Sequence, residues 1–115
     1  MRTVLSKLNK TAGVRGSLIV NKDGIVVASD LSVDIDETGV GAVSSSILAS
    51  LEAAVKRINL GKLQRYVITG SENRIAIVDA GPALLLIVLQ KDVNLGMVNA
   101  EIKDAVASVV EKAKM

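Results

Sequence analysis

The 115 residues contain no cysteine and no histidine, and their one aromatic side chain is Tyr66. Without cysteine there is no disulfide framework and no thiol or zinc-finger site. Without histidine the chain lacks the usual general base of neutral pH and the commonest metal ligand. Carboxylates, lysines, hydroxyls and Tyr66 remain for chemistry, which argues against a hydrolytic or redox enzyme. The shortage of aromatics also argues against nucleic acid, whose binding calls for stacking rings and more positive charge than the formal +2 here. Long apolar runs are missing as well. "MRTVLSKLNK" has no continuous apolar segment of a secretory signal, and "ALLLIVL" at 83–89 falls far short of the roughly 18 to 20 residues of a membrane span. A soluble, cytoplasmic protein with no membrane insertion is expected.

Half of the residues are hydrophobic, enough for a core, and the length suits one domain over 1–115. The charge is patterned. Arg2, Lys7, Lys10 and Arg15 come with no acid between them, Asp30, Asp34, Asp36 and Glu37 form an acidic loop, and Lys56, Arg57, Lys62 and Arg65 form a second basic cluster. Such runs are ordinarily solvated faces.

Val4, Leu5, Leu8 and Ala12 recur at helical spacing, predicting a short first helix that Gly13 ends. In "GVRGSLIVNKDGIVVASD", two short apolar strands flank Asn21-Lys22-Asp23-Gly24, where Asp-Gly supplies positive φ cheaply; this is a hairpin signal. Asp36 or Thr38 is placed to cap a long helix over 37–59. Val40, Val43, Ile47, Leu51, Val55 and Ile58 make its apolar stripe. The opposite face carries Ala42, Ser45, Ser46, Ala49, Ser50 and Ala53, and no charge stands between Glu37 and Glu52. Two explanations compete: high-propensity filler, or a face kept small so that a second backbone can approach. The second is preferred, because a helix back facing water normally carries Lys and Glu. Lys56 and Arg57 in the last turn suit the helix dipole.

Three strands follow: "LQRYVITGS", "RIAIVDA" and "ALLLIVLQ". The last is apolar on both parities, so both of its faces should be covered and it belongs at the sheet centre. "LQRYVITG" begins polar, as an edge strand would. Asn94 caps a final helix with the inner stripe Val98, Ile102, Ala105, Val109 and Ala113. The order helix, two strands, long helix, three strands, helix implies an α+β sandwich with helices on both faces.

Candidate chemical motifs fail on inspection. Read from Asp30, a calcium loop needs glycine at position six and glutamate at twelve, where Ile35 and Gly41 stand. Gly39-Val40-Gly41 has Ser44 at the third glycine position of a dinucleotide loop, and no P-loop occurs. Ser44 to Ser46 has no histidine to activate it. A serine–lysine pair stays open by spacing alone, but helix packing explains small residues there better. No catalytic residue, cofactor or metal site is assigned.

The hairpin stretch, the small-residue helix, "YVITGSENRIAIVDAGPALLLIVL" and "NLGMVNAEIKDAV", in that order and over roughly residues 4–114, resemble the Roadblock domain family, the dynein light chain and MglB-like proteins. Asn94-Leu95-Gly96 is similar to the family's entry to its last helix. The resemblance implies a profilin-like or longin-like sandwich with strand order 2-1-5-4-3, the long helix on one face and the two terminal helices on the other. It further implies a homodimer that pairs the third strand with its twin and sets the long helices side by side. The interface would then comprise Gln64, Arg65, Tyr66, Val67, Ile68 and Thr69 with Ala42, Ser46, Ala49 and Ala53. The family's work is non-catalytic: its dimers bind and regulate small Ras-like GTPases or scaffold larger assemblies. The docking surface implied here lies around Ser45, Ala49, Glu52 and Lys56, and neither Arg57 nor Arg65 is assigned as an arginine finger. Two alternatives stand beside this reading, a small-ligand sensor of similar shape and a purely structural scaffold subunit.

Overall fold

A computed structural model describes residues 1–31 and 35–113. The elements are α1 (Arg2–Leu8), β1 (Val14–Asn21), β2 (Val26–Leu31), α2 (Glu37–Arg57), β3 (Arg65–Thr69), β4 (Asn73–Ala80), β5 (Ala83–Gln90) and α3 (Leu95–Ala113). They form one five-stranded sheet in the order β2-β1-β5-β4-β3, and every neighbouring pair is antiparallel. The expected α+β sandwich and strand order are both present.

β5 is central because it carries no polar side chain before Gln90. Seven of its eight residues, Ala83 to Leu89, are buried. Its alternate residues feed two cores. Leu85, Ile87 and Leu89 meet Val4, Leu5 and Leu8 of α1 and Val98, Ile102, Ala105 and Val109 of α3. Leu84 and Leu86 meet Leu18, Val20, Ile77 and Leu48 on the α2 side. Period-2 alternation on a strand covered on both faces requires this division. Truncating Leu86, wholly inaccessible to solvent, to alanine should cost about 2–5 kcal/mol through lost transfer energy and the cavity left behind.

The hairpin forms where Asp-Gly placed it. Asn21 Oδ1 accepts from the backbone N–H groups of Asp23 and Ile25 at 3.0 and 3.1 Å, and Gly24 sits at φ 89°. This side-chain mimicry of a turn is what asparagine supplies. Asp36, rather than Thr38, caps α2: its carboxylate accepts from the Gly39 N–H at 3.1 Å. Asn94 Oδ1 accepts from the Gly96 N–H at 2.9 Å at the start of α3.

Three expectations need correction. α1 stops at Leu8, and Ala12 is exposed, because Asn9 turns its side chain to the sheet. The Asn9 amide donates to the Asp30 carbonyl at 2.7 Å, and its oxygen accepts from the Ser17 hydroxyl at 2.7 Å. The α2 stripe is rotated. Gly41, Ser44 and Leu48 are the residues it buries, while Val43 and Ile58 are 55% and 61% exposed. The cause is a close approach of the hairpin. A Cβ on Gly41 would lie 2.5 Å from the Gly24 carbonyl oxygen, so the helix seats its smallest residues there rather than its valines. Finally, Ala113 is exposed at the end of α3, although Val98, Ile102, Ala105 and Val109 are buried as the spacing requires. Of the acidic loop, Asp34 lies outside the described residues.

Candidate functional site

The sheet has two edges, and its helices treat them differently. α1 and α2 both pack against β2. β2 also carries a register shift opposite Ile19/Val20. At its far end the Ser29 hydroxyl is bonded to the Glu37 carboxylate at 3.0 Å. β3 is mostly exposed, with only Tyr66 half-buried among its five residues.

The orientation of the free groups on β3 follows from its bonds to β4. Gln64 C=O accepts from the Asp79 N–H at 2.8 Å, and the Gly70 N–H donates to Asn73 C=O at 2.9 Å. In an antiparallel ladder, residues of one parity turn both backbone groups to one neighbour and residues of the other parity turn them away. The even residues from 64 to 70 therefore face β4. The N–H and C=O groups of Arg65, Val67 and Thr69 point outward from the sheet, ready for another strand.

Tyr66 ties this edge to α2. Its hydroxyl donates to the Ser44 carbonyl at 2.7 Å, and its ring packs against the core on the α2 side. Burial pushes its pKa above the ordinary value of 10.0. On the other face of the sheet, the Arg65 guanidinium donates to Asn99 Oδ1 of α3 at 2.8 Å.

α2 is apolar and largely uncovered. Its most apolar stretch of 18 residues has a mean hydropathy of 1.3, yet only 17% of that stretch is buried. By length and composition such a helix can cross a membrane. Here it lies across the sheet, fastened by Glu37 to Ser29, by Ser44 to Tyr66, and by Ser45 to the hairpin. Ala42, Ser46, Ala49, Ser50 and Ala53 are exposed, as are Glu52 and Lys56. Ser45 is different: its hydroxyl donates to the Lys22 carbonyl at 2.7 Å. Part of the small-residue face is thus used within the chain, where Gly41, Ala42 and Ser45 take the hairpin tip. The remainder is exposed, with Ala53 bordering a shallow groove beside Leu63 of the connector.

Beyond α2, Asn59 at φ 61° closes the helix, a left-handed position that asparagine tolerates better than most side chains. The connector leaves Ile58 and Leu60 61% and 68% exposed, next in the chain to a strand whose Val67 and Ile68 are 38% and 41% exposed. Sequence reading missed Ile58 and Leu60 as surface residues. Ile58 belongs to the apolar stripe by spacing, but periodicity alone does not show where a helix overhangs the sheet. Lys22 and Lys62 approach Asp79 at 2.7 and 3.5 Å, joining the hairpin tip, β4 and this connector.

β3 thus leaves an open strand edge on the same sheet as the largely exposed α2. The sequence matches the family model for the Roadblock/LC7 domain over residues 2–90, and the chain belongs to that family. It is 37% identical to the Methanocaldococcus jannaschii protein MJ1340 over 106 residues, 92% of this chain and 93% of the other. Its fold is similar to a Roadblock/LC7 domain from Streptomyces avermitilis (TM-score 0.90, 15% identity, covering 100% of this chain and 98% of that one). It is also similar to Myxococcus xanthus MglB (TM-score 0.89, 20% identity, 97% and 93%). The same layers recur in an Acanthamoeba castellanii profilin (TM-score 0.68, 13% identity, 96% and 97%).

Proposed function

We propose that the chain is a non-catalytic interaction module that pairs with a second copy through β3 and α2, the pair then binding and regulating or scaffolding a small Ras-like GTPase. The observation that carries the pairing is the outward set of backbone groups on Arg65, Val67 and Thr69, beside an apolar helix that the chain leaves bare. A two-fold axis through Val67 uses all three. Val67 then faces its twin, and Arg65 faces the twin's Thr69. About six backbone hydrogen bonds close the seam, against about four if the axis passes through Tyr66 or Ile68. The same operation brings the two exposed helix faces at Ala42, Ser46, Ala49 and Ala53 toward each other, and one self-complementary contact covers both features. The exposed Ile58, Leu60, Val67 and Ile68 lose water in the same step.

Because the native chain has no cysteine, a single Val67→Cys substitution reports the register cleanly. Hydrogen-bonded antiparallel pairs hold their Cα atoms about 5.5 Å apart, within disulfide reach. Oxidation should link this variant to its twin, while Ile25→Cys at the opposite end of the sheet should stay unlinked. Light scattering that shows a monomer at micromolar concentration would overturn the pairing.

The GTPase rests on membership of the family and on the surface around Ala49, Glu52 and Lys56. Docking there would order a switch segment and shift its populations. The test is capture of small Ras-like GTPases from the source organism, loaded with GTP or GDP. A preference of at least tenfold for one nucleotide state supports regulation, equal capture of both supports a scaffold, and no capture removes the GTPase from the reading.

A further inference from the structure

On the face of the sheet opposite α2, a cleft of about 460 Å³ lies between α3 and the β3–β4 edge, with Arg65, Val78, Ile102, Lys103 and Val106 in its lining. We infer that this cleft, doubled across the β3 seam, is a docking trough for a single acidic amphipathic helix of a partner protein. The inference rests on the pairing proposed above.

The width comes from the sheet. Neighbouring strands lie about 4.8 Å apart, so pairing β3 with its twin puts the two β4 strands about 14 Å apart and the two β5 strands about 24 Å apart. α3 packs mainly on β4 and less on β5, so the α3 axes fall between those limits. Two successive helix–helix spacings of 8–10 Å add to about 16–20 Å. One helix fits between the α3 helices, and an empty trough of that width would leave apolar surface wet. Its floor is Val67 from each copy, 38% exposed. Its walls carry the partly exposed Val106 and the exposed Ala107.

Charge selects the occupant. α3 is electrostatically two-sided: Glu101 and Asp104 line the other groove, beside Lys7 of α1, while Lys103 and Arg65 face the trough. Asp79 also borders it, but that carboxylate is bonded to Lys22 at 2.7 Å and approached by Lys62 at 3.5 Å. The paired trough therefore presents four cations around an apolar floor and no free carboxylate in its lining. An apolar helix face flanked by Glu or Asp is complementary to it; a basic helix is repelled.

The test is fluorescence anisotropy with the full chain and two synthetic helical peptides of about 18 residues, close to the length of α3. Both have leucines at i, i+3, i+4 and i+7, one with glutamate and one with lysine at the remaining positions. The glutamate peptide should bind at least tenfold more tightly, at one peptide per two chains. Lys103→Glu should abolish the preference, because two glutamates then balance the two Arg65 side chains, whereas Glu52→Lys on the α2 face should leave it unchanged. Equal binding of the two peptides by the unsubstituted chain overturns the trough, as does indifference to Lys103→Glu or an equal response to Glu52→Lys. If Val67→Cys chains link and the glutamate peptide still shows no preference, the trough alone is wrong. If the chain is monomeric, the pairing fails and the trough fails with it.

Discussion

β2 and β3 are both edge strands of one antiparallel sheet, and the chain treats them in opposite ways. β2 is flanked by helices on both faces, its register is broken by an irregularity, and Asn9 is anchored to its Asp30 carbonyl. These are recognised devices for discouraging strand addition. β3 has regular pairing with β4 over all five residues, no proline, and outward backbone groups at every second position. Protection is thus applied to one edge only. The difference teaches that the bareness of β3 is not a general neglect of edges in a small protein. It is selective, and it coincides with the uncovered side of α2.

The largest expected effect tests this directly. In Val67→Pro the lost N–H is one that points away from β4, so the β3–β4 ladder keeps its bonds while the seam loses its central pair and meets a pyrrolidine ring. Dimer dissociation should rise by about a thousandfold or more, the equivalent of about 4 kcal/mol. Val27→Asp, on the protected edge where Val27 is 55% exposed, should leave the dimer intact. A reversed outcome in analytical ultracentrifugation would mean that the edges have been assigned the wrong way round.

Next in size is Asn9→Ala. Ser17 is fully buried, and losing Asn9 leaves its hydroxyl without that partner while freeing the Asp30 carbonyl. The unfolding free energy should fall by about 2–3 kcal/mol in urea titration. With the protected edge loosened, light scattering should show species larger than a dimer at high concentration. Stability loss without such species would show that the helices, not Asn9, guard β2. Gly41→Ala comes third. Alanine gains about 1 kcal/mol of helix propensity, but its Cβ meets the Gly24 carbonyl, and the overpacking costs about 1–3 kcal/mol. The net loss should be about 1 kcal/mol by thermal or urea unfolding, with the dimer retained. A net gain would mean that the hairpin moves away from α2 freely.

The strand order, the hairpin and the identity of the open edge were legible because each is written locally. "ALLLIVL" has no hydrophilic parity, Asp-Gly forces a turn, and Gln64-Arg65 opens a strand that a buried position would reject. The family resemblance supplied the topology that joins them. The α2 face was less legible. A 3.6 period locates a stripe but not its phase against a neighbour, and the phase here is set by one glycine-to-glycine contact between residues far apart in the chain. Val43 is consequently exposed, while Ser44 is buried. Asn9 was missed for a similar reason. Its partners Ser17 and Asp30 are eight and 21 residues away, and nothing in its immediate neighbours marks it.

The smallest effect concerns how the open edge is held in place. Tyr66 ties β3 to α2 through one hydroxyl bond, so Tyr66→Phe should cost about 1 kcal/mol at neutral pH and weaken the dimer only slightly. Its pH dependence is more informative. The folded pKa of Tyr66 is raised above 10.0, chiefly by burial. Between the unfolded and folded values the folded state holds the proton that the unfolded state has released, so stability falls as pH rises. The stabilisation from Tyr66 is therefore complete below pH 10 and is lost progressively above it, as the phenol ionises and can no longer donate to Ser44. Comparing urea unfolding of the wild type and Tyr66→Phe from pH 8 to 11 subtracts the lysines common to both. The gap between them should be constant up to about pH 10 and then narrow. A gap that stays constant through the alkaline limb would mean that the hydroxyl is solvated in solution and that β3 is positioned by its pairing with β4 alone.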